Sequence, residues 1–234
     1  RVCLMHLEEG YVMADGFRLG VGLERGFYSK FLANVKKEID KKLISVSSKA
    51  IPQIETRLRA KVIERLMSSP EYAAIVGSGF RGELGLPDAA QRMDAVISQW
   101  ANNISVTFIR QSGAGKLGMI SIGIIQDDYS DVLSLAEAEL SYSGFRGQKT
   151  LRWLDWLLTK GSGIIVADYQ YKQVGSTGNA RSRTGLGIMV ERRGGWKIPA
   201  QLAGTESDNF ATRSLEGIQG EIEIIIRQEL TKVL

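Results

Sequence analysis

Cysteine and histidine are nearly missing from this chain of 234 residues, which holds only Cys3 and His6. One cysteine closes no intramolecular disulfide, and one histidine beside it supplies no zinc cage of the usual kind. The same scarcity removes most relays that pair a nucleophile with a base. Long hydrophobic runs are missing too: no stretch approaches the ~18 to 20 apolar residues a membrane span needs. The first 30 residues mix Glu, Arg, Gly and Tyr without an apolar signal core, so the expectation is a soluble chain with no readable secretion signal. What remains is ordinary globular composition, 44% hydrophobic and 24% charged, at a length that allows one large domain or two small ones.

Charge is unevenly placed. The formal net is +4, yet Lys30 to Arg65 alone carries ten bases against four acids. The tail from Glu206 to Leu234 has six acids against three bases. Such asymmetry bears on association and steering rather than on fold. Three uses of the basic stretch stay open: a solvated helix face, a contact with DNA, or a contact with the acidic surface of a neighbouring copy. Lys36, Lys37, Lys41 and Lys42 are its candidate contacts.

Phe27, Phe31, Val35, Ile39, Leu43 and Val46 recur every three or four residues, the spacing of one apolar helical stripe, and the pattern resumes as Ile54, Leu58, Val62 and Leu66. A helical arm over residues 27–67 is therefore expected, roughly 60 Å long at 1.5 Å per residue. Pro52 lacks a backbone donor and restricts the residue before it, which predicts a kink or restart there. Short helices follow over 69–101. Ser68, Ser69 and Pro70 end the first helix and begin a second, and Asp88 is placed to cap a third through Met93, Val96, Ile97 and Trp100.

From Ile104 the period changes to two. Ile104, Val106 and Phe108 alternate, and Met119 to Ile125 suits a pleated surface, which predicts a hairpin. The region 104–191 reads as an antiparallel sheet with a helix at 148–159, Ile164 to Tyr171 pairing with Leu186 to Val190. Between these strands, Gly175 to Gly185 is small, polar and glycine-rich, as an exposed loop is. Its Arg181 and Arg183, with Arg192 and Arg193 nearby, are candidate contacts to a partner or a DNA backbone. Gly194 and Gly195 then permit a sharp turn, and Pro199 restricts the chain after it. Trp196 or Phe210 is expected to anchor a C-terminal helix over 207–234 on the sheet. The fold class is α+β, with residues 1–26 an extension of unknown role and 27–234 one domain.

Two motifs invite catalytic readings, and their settings argue against both. Gly113-Ala114-Gly115-Lys116-Leu117-Gly118 matches a dinucleotide fingerprint by letters, but a β-like run follows where a helix N-terminus is required, so a glycine-rich hairpin turn is expected. Asp127, Asp128 and Asp131 have the spacing that holds Mg²⁺ against a diphosphate on one helix face, yet here they end a strand, where turn chemistry explains them. No pair of acids is set apart for general acid and base work. The reading is a non-enzymatic chain with no catalytic residue, metal or cofactor; a hydrolase or transferase would need a site assembled from dispersed acids.

The order Gly187-Ile188-Met189-Val190, Gly194-Gly195-Trp196-Lys197-Ile198-Pro199, then Ala203 through Leu215 with Phe210 and Arg213, runs from a strand through a Pro-bearing turn to an aromatic and an Arg that open a terminal helix. It resembles the tail-completion and minor-tail proteins of tailed bacteriophages. Upstream, Ser69-Pro70-Glu71-Tyr72 and the run Phe80 to Pro87 are similar to segments of phage neck and tail proteins. The resemblance covers most of the chain. It implies a virion protein at the head-to-tail junction, assembled in the bacterial cytoplasm as a ring of identical subunits. Other neck, connector or tail-tube proteins would be its partners, DNA backbone in the channel a further one, and no membrane is involved. Arg213 joins Trp196, Pro199 and Phe210 as a structural anchor. Opposite charge at the two ends suits a heterologous contact, which closes into a ring when the rotation divides a full turn. The alternative is a basic nucleic-acid-binding protein acting through the 30–65 helix and the 175–185 loop.

Overall fold

The computed structural model describes residues 27–109, 119–125, 128–144, 147–174 and 183–233. The chain divides between Ser45 and Val46 into two units, a boundary inside the first helix. The fold is α+β: a long N-terminal helix, antiparallel hairpins and a helical C-terminus.

Helix α1 spans Phe27–Met67. The expected restart at Pro52 does not occur, since helical backbone runs through it without interruption. Proline removes one amide donor from the ladder, and packing compensates: Ala50, Ile54, Leu58, Val62 and Leu66, four residues apart on one side, are all buried. The stripe before Ser45 fares differently, with Phe31, Leu32, Val35 and Ile39 exposed.

Ser69 and Pro70 begin α2 (Pro70–Val76) as their types predict: Ser69 Oγ accepts from the Tyr72 amide at 3.1 Å, and Pro70 occupies the first turn. Helix α3 (Ser78–Leu84) follows, then α4 (Ala89–Asn103). Asp88 stands at the N-cap of α4, but its side chain makes no capping bond; its carbonyl accepts from the Arg92 amide. Met93, Val96, Ile97 and Trp100 bury one face of α4 as expected.

Among the described residues the strands form three two-stranded antiparallel ribbons. Strand β1 (Ser105–Ile109) pairs with β2 (Met119–Gly123), β3 (Leu140–Gly144) with β4 (Gly147–Leu151), and β5 (Ile164–Gln173) with β6 (Gly187–Lys197). The turn expected at Gly113 to Gly118 lies outside the described residues. Between β2 and β3 lies the one-turn helix α5 (Ser130–Leu133). The helix expected at 148–159 is shorter, α6 (Trp153–Leu158), because Gln148, Lys149 and Thr150 are taken into the β4 ladder.

Strand β6 runs seven residues past Val190, through Arg192, Arg193, Gly194 and Gly195. Those glycines are not a turn. They face a register shift beside Ala167 and Asp168, and Gly194 takes φ +120°, a conformation open to glycine, so the strand absorbs the irregularity and continues. The reversal comes at Pro199, whose carbonyl accepts from the amides of Leu202 and Ala203. The C-terminal region is two helices, α7 (Phe210–Ser214) and α8 (Gln219–Val233), where a single helix over 207–234 was expected. Helix α8 is tied to α1 by ion pairs: Arg57 meets Glu229 at 2.7 Å, Lys61 meets Glu221 at 3.1 Å, and Arg65 pairs with Glu221.

Candidate interaction site

Helix α6 is the hub around which the C-terminal motif folds. Its Trp153, Leu154, Leu157 and Leu158 are buried, and Trp153 Nε1 donates to the Glu137 carbonyl at 2.8 Å. Asp155, also buried, is held by Lys160 at 2.6 Å and Arg152 at 3.4 Å. Onto this helix the segment after Pro199 closes tightly: the Gly204 amide donates to the Trp156 carbonyl at 3.0 Å, and the Gly204 carbonyl accepts from Gly161 at 2.7 Å. A Cβ on Gly204 would overlap the Leu157 carbonyl, so only glycine fits.

Trp196 is buried where β6 leaves its ribbon. Its ring meets Trp156 edge-on, centroids 6.4 Å apart, and its Nε1 donates to Glu83 on α3 at 3.1 Å. Phe210 is buried against Trp100 of α4, with centroids 5.7 Å apart. Trp196 thus joins the β5–β6 ribbon to α3 and α6, and Phe210 is seated on α4. The turn at Pro199 lies between them. Arg213 reaches back to α2: its Nε donates to the buried Glu71 at 2.7 Å and its Nη1 to Asp208 at 2.9 Å. A buried carboxylate without its partner is costly, so Glu71 and Arg213 require each other.

Sequence reasoning missed Asn209. Its Oδ1 accepts from the amides of Ala211 and Thr212, its own amide donates to Thr212 Oγ1, and its Nδ2 donates to Tyr129 Oη at 2.7 Å and the Thr205 carbonyl at 2.8 Å. The signal was present as Asn-x-x-Thr ahead of an apolar run, a reciprocal cap.

The basic candidates fall on different elements. Arg181 lies outside the described residues, as does most of the 175–185 loop. Arg183 is exposed, with its guanidinium 4.3 Å from the centroid of Tyr142 and beside Gly85. Arg192 and Arg193 are exposed on β6. Lys37, Lys41 and Lys42 are exposed on α1, with Lys41 paired to Glu38 at 2.7 Å and Lys36 half-buried beside them. That pairing, chiefly the hydrogen bond from Lys41 and then its charge, lowers the Glu38 pKa. Tyr171 lines a cavity of about 400 Å³ with Glu83 and Arg183. Burial first, then the Glu83 charge, pushes the Tyr171 hydroxyl pKa up.

Of the aspartate cluster, Asp127 lies outside the described residues. Asp128 accepts from the amide and hydroxyl of Ser130, which lowers its pKa, and Asp131 accepts from Asn103 at 2.7 Å. Both carboxylates are occupied in turn and cap chemistry. Among the described residues no group of His, Cys, Asp and Glu is placed to hold a metal ion, and no helix is long and apolar enough to cross a membrane. No protein-family model, curated protein or solved structure matches the chain.

Proposed function

We propose that this chain is a non-enzymatic structural subunit of a tailed-bacteriophage virion, forming a ring at the neck where head and tail meet. One observation carries the reading. The three segments whose order resembles phage tail-completion and neck proteins meet one another in space: Glu71 of the first binds Arg213 of the third, and Glu83 of the second binds Trp196 of the third. Residues separated by 142 and 113 positions are brought to two contacts.

In such a ring the subunit's work is mechanical. It offers its neighbours unlike surfaces, fixes their register by charge, and leaves exposed cations for the next protein or for DNA in the channel. The experiment is light scattering on the purified full chain. The expected mass is an integral multiple of 25.8 kDa corresponding to a closed ring. A chain that remains monomeric and binds no neck or tail-tube protein contradicts the proposal.

A second reading, DNA binding as the primary task, rests on the exposure of Arg192, Arg193, Lys37 and Lys42. Affinity would then fall steeply with salt, because each phosphate contact releases counterions.

A further inference from the structure

The cavity of about 400 Å³ between α3 and the β5–β6 ribbon is lined by polar groups that the fold leaves without partners. Three glycines shape its wall. A Cβ on Gly82 or Gly187 would overlap Tyr171, and one on Gly85 would overlap the Arg183 guanidinium. Both side chains therefore pack directly on backbone, which fixes where their polar ends stand. The Tyr171 hydroxyl lies against Gly82, buried and without a hydrogen-bond partner among the described residues. A buried hydroxyl in that state is rare, because it forfeits a bond that water would give it. Its raised pKa keeps it protonated, so it can donate.

Two charges line the same cavity and do not pair with each other. Arg183 lies on the Tyr142 ring, and no carboxylate takes its hydrogens among the described residues. Glu83 accepts from Trp196 Nε1 through Oε2, and its Oε1 takes no hydrogen bond among the described residues. A plain anion entering here would meet Glu83, and a plain cation would meet Arg183. A ligand that carries both charges satisfies both residues. Ile188 and Met189, each 37% exposed, add an apolar part to the wall. The volume lies at the small end of the range that holds small molecules.

We infer that this cavity binds a small zwitterion with an apolar body, of the α-amino acid class. Arg183 and the Tyr171 hydroxyl hold its carboxylate, Glu83 its ammonium, and Ile188 and Met189 its side chain. Binding here requires no ring.

The test is isothermal titration calorimetry of the full chain at ~50 mM salt, where exposed charges still act. L-leucine carries both charges, L-leucinamide lacks the carboxylate, and N-acetyl-L-leucine lacks the ammonium. L-leucine should bind, and each of the other two should bind at least about tenfold more weakly, the loss of one charge-assisted hydrogen bond. Arg183→Gln should then bind L-leucine and L-leucinamide alike. Glu83→Gln, which keeps an acceptor for Trp196, should bind L-leucine and N-acetyl-L-leucine alike. Tyr171→Phe should weaken L-leucine about fivefold without lowering the thermal midpoint, since the hydroxyl it deletes has no partner in the free chain. Circular dichroism should be the same for all three variants. If none of L-leucine, L-methionine and L-phenylalanine binds, water is the occupant and the inference is overturned. Equal affinity for the three leucine probes in the natural chain overturns it as well. So does a Glu83 or Arg183 variant that weakens all three equally, because such a residue acts on the fold rather than on one charge of the ligand.

Discussion

Phe210 and Gly204 fix the C-terminal motif by opposite means, one by filling space and the other by leaving it. Phe210 lies buried against Trp100. Its truncation to Ala leaves a cavity among helices that cannot close, at a cost of about 3 to 5 kcal/mol. Urea denaturation should show that loss as a lower midpoint with an unchanged slope. At Gly204 an added methyl meets the Leu157 carbonyl, which is backbone and cannot rotate away. Gly204→Ala should cost about 3 kcal/mol or more, the upper end of overpacking effects, while Ala203→Gly beside it should cost less. A silent Gly204→Ala in the same denaturation assay would mean that the segment does not close on α6. Arg183 is a third case. Its guanidinium lies on the Tyr142 ring, so Arg183→Ala should lower stability by about 0.5 to 1 kcal/mol in addition to any effect on a partner.

At the scale of elements, α8 is clasped to α1 by charge. Hydrogen bonds from Arg65 and then Lys61 lower the Glu221 pKa, and hydrogen bonds from Lys232 and then Arg57 lower that of Glu229. Carboxylates with lowered folded-state pKa values contribute stability that is fully present above the ordinary glutamate value of 4.5 and is lost as pH falls through the lowered values. Protection of the α8 amides against hydrogen exchange, corrected for the intrinsic exchange rate, should therefore fall as pH drops below 4.5, before the core amides of α4 respond. Glu221→Gln with Glu229→Gln should flatten that dependence; an unchanged acid response would place the sensitive groups elsewhere.

The elements also show what could be read in advance. The buried run Ile54, Leu58, Val62 and Leu66 was legible because a four-residue period admits one helical face, and the hairpins because a period of two admits one pleated face. The length of β6 was not, since Gly194 and Gly195 have the letters of a turn and only pairing with Ala167 turns them into an irregular strand. The site was legible in its members and illegible in its pairs. Trp196, Phe210 and Arg213 stood out by type, but their partners Glu83, Trp100 and Glu71 lie more than a hundred residues away. Local chemistry carries no signal over that separation. The ring contact of Arg183 was illegible for the same reason, because Tyr142 lies on another ribbon.

For the whole molecule, the proposed ring would give the uneven charge a use, the basic stretch of one copy meeting the acidic tail of the next. Negative-stain electron microscopy of the purified full chain tests this most directly. Class averages should show closed rings of one rotational order. Single particles of 25.8 kDa at every concentration, with no ring formed when neck and tail-tube proteins are added, would contradict the account.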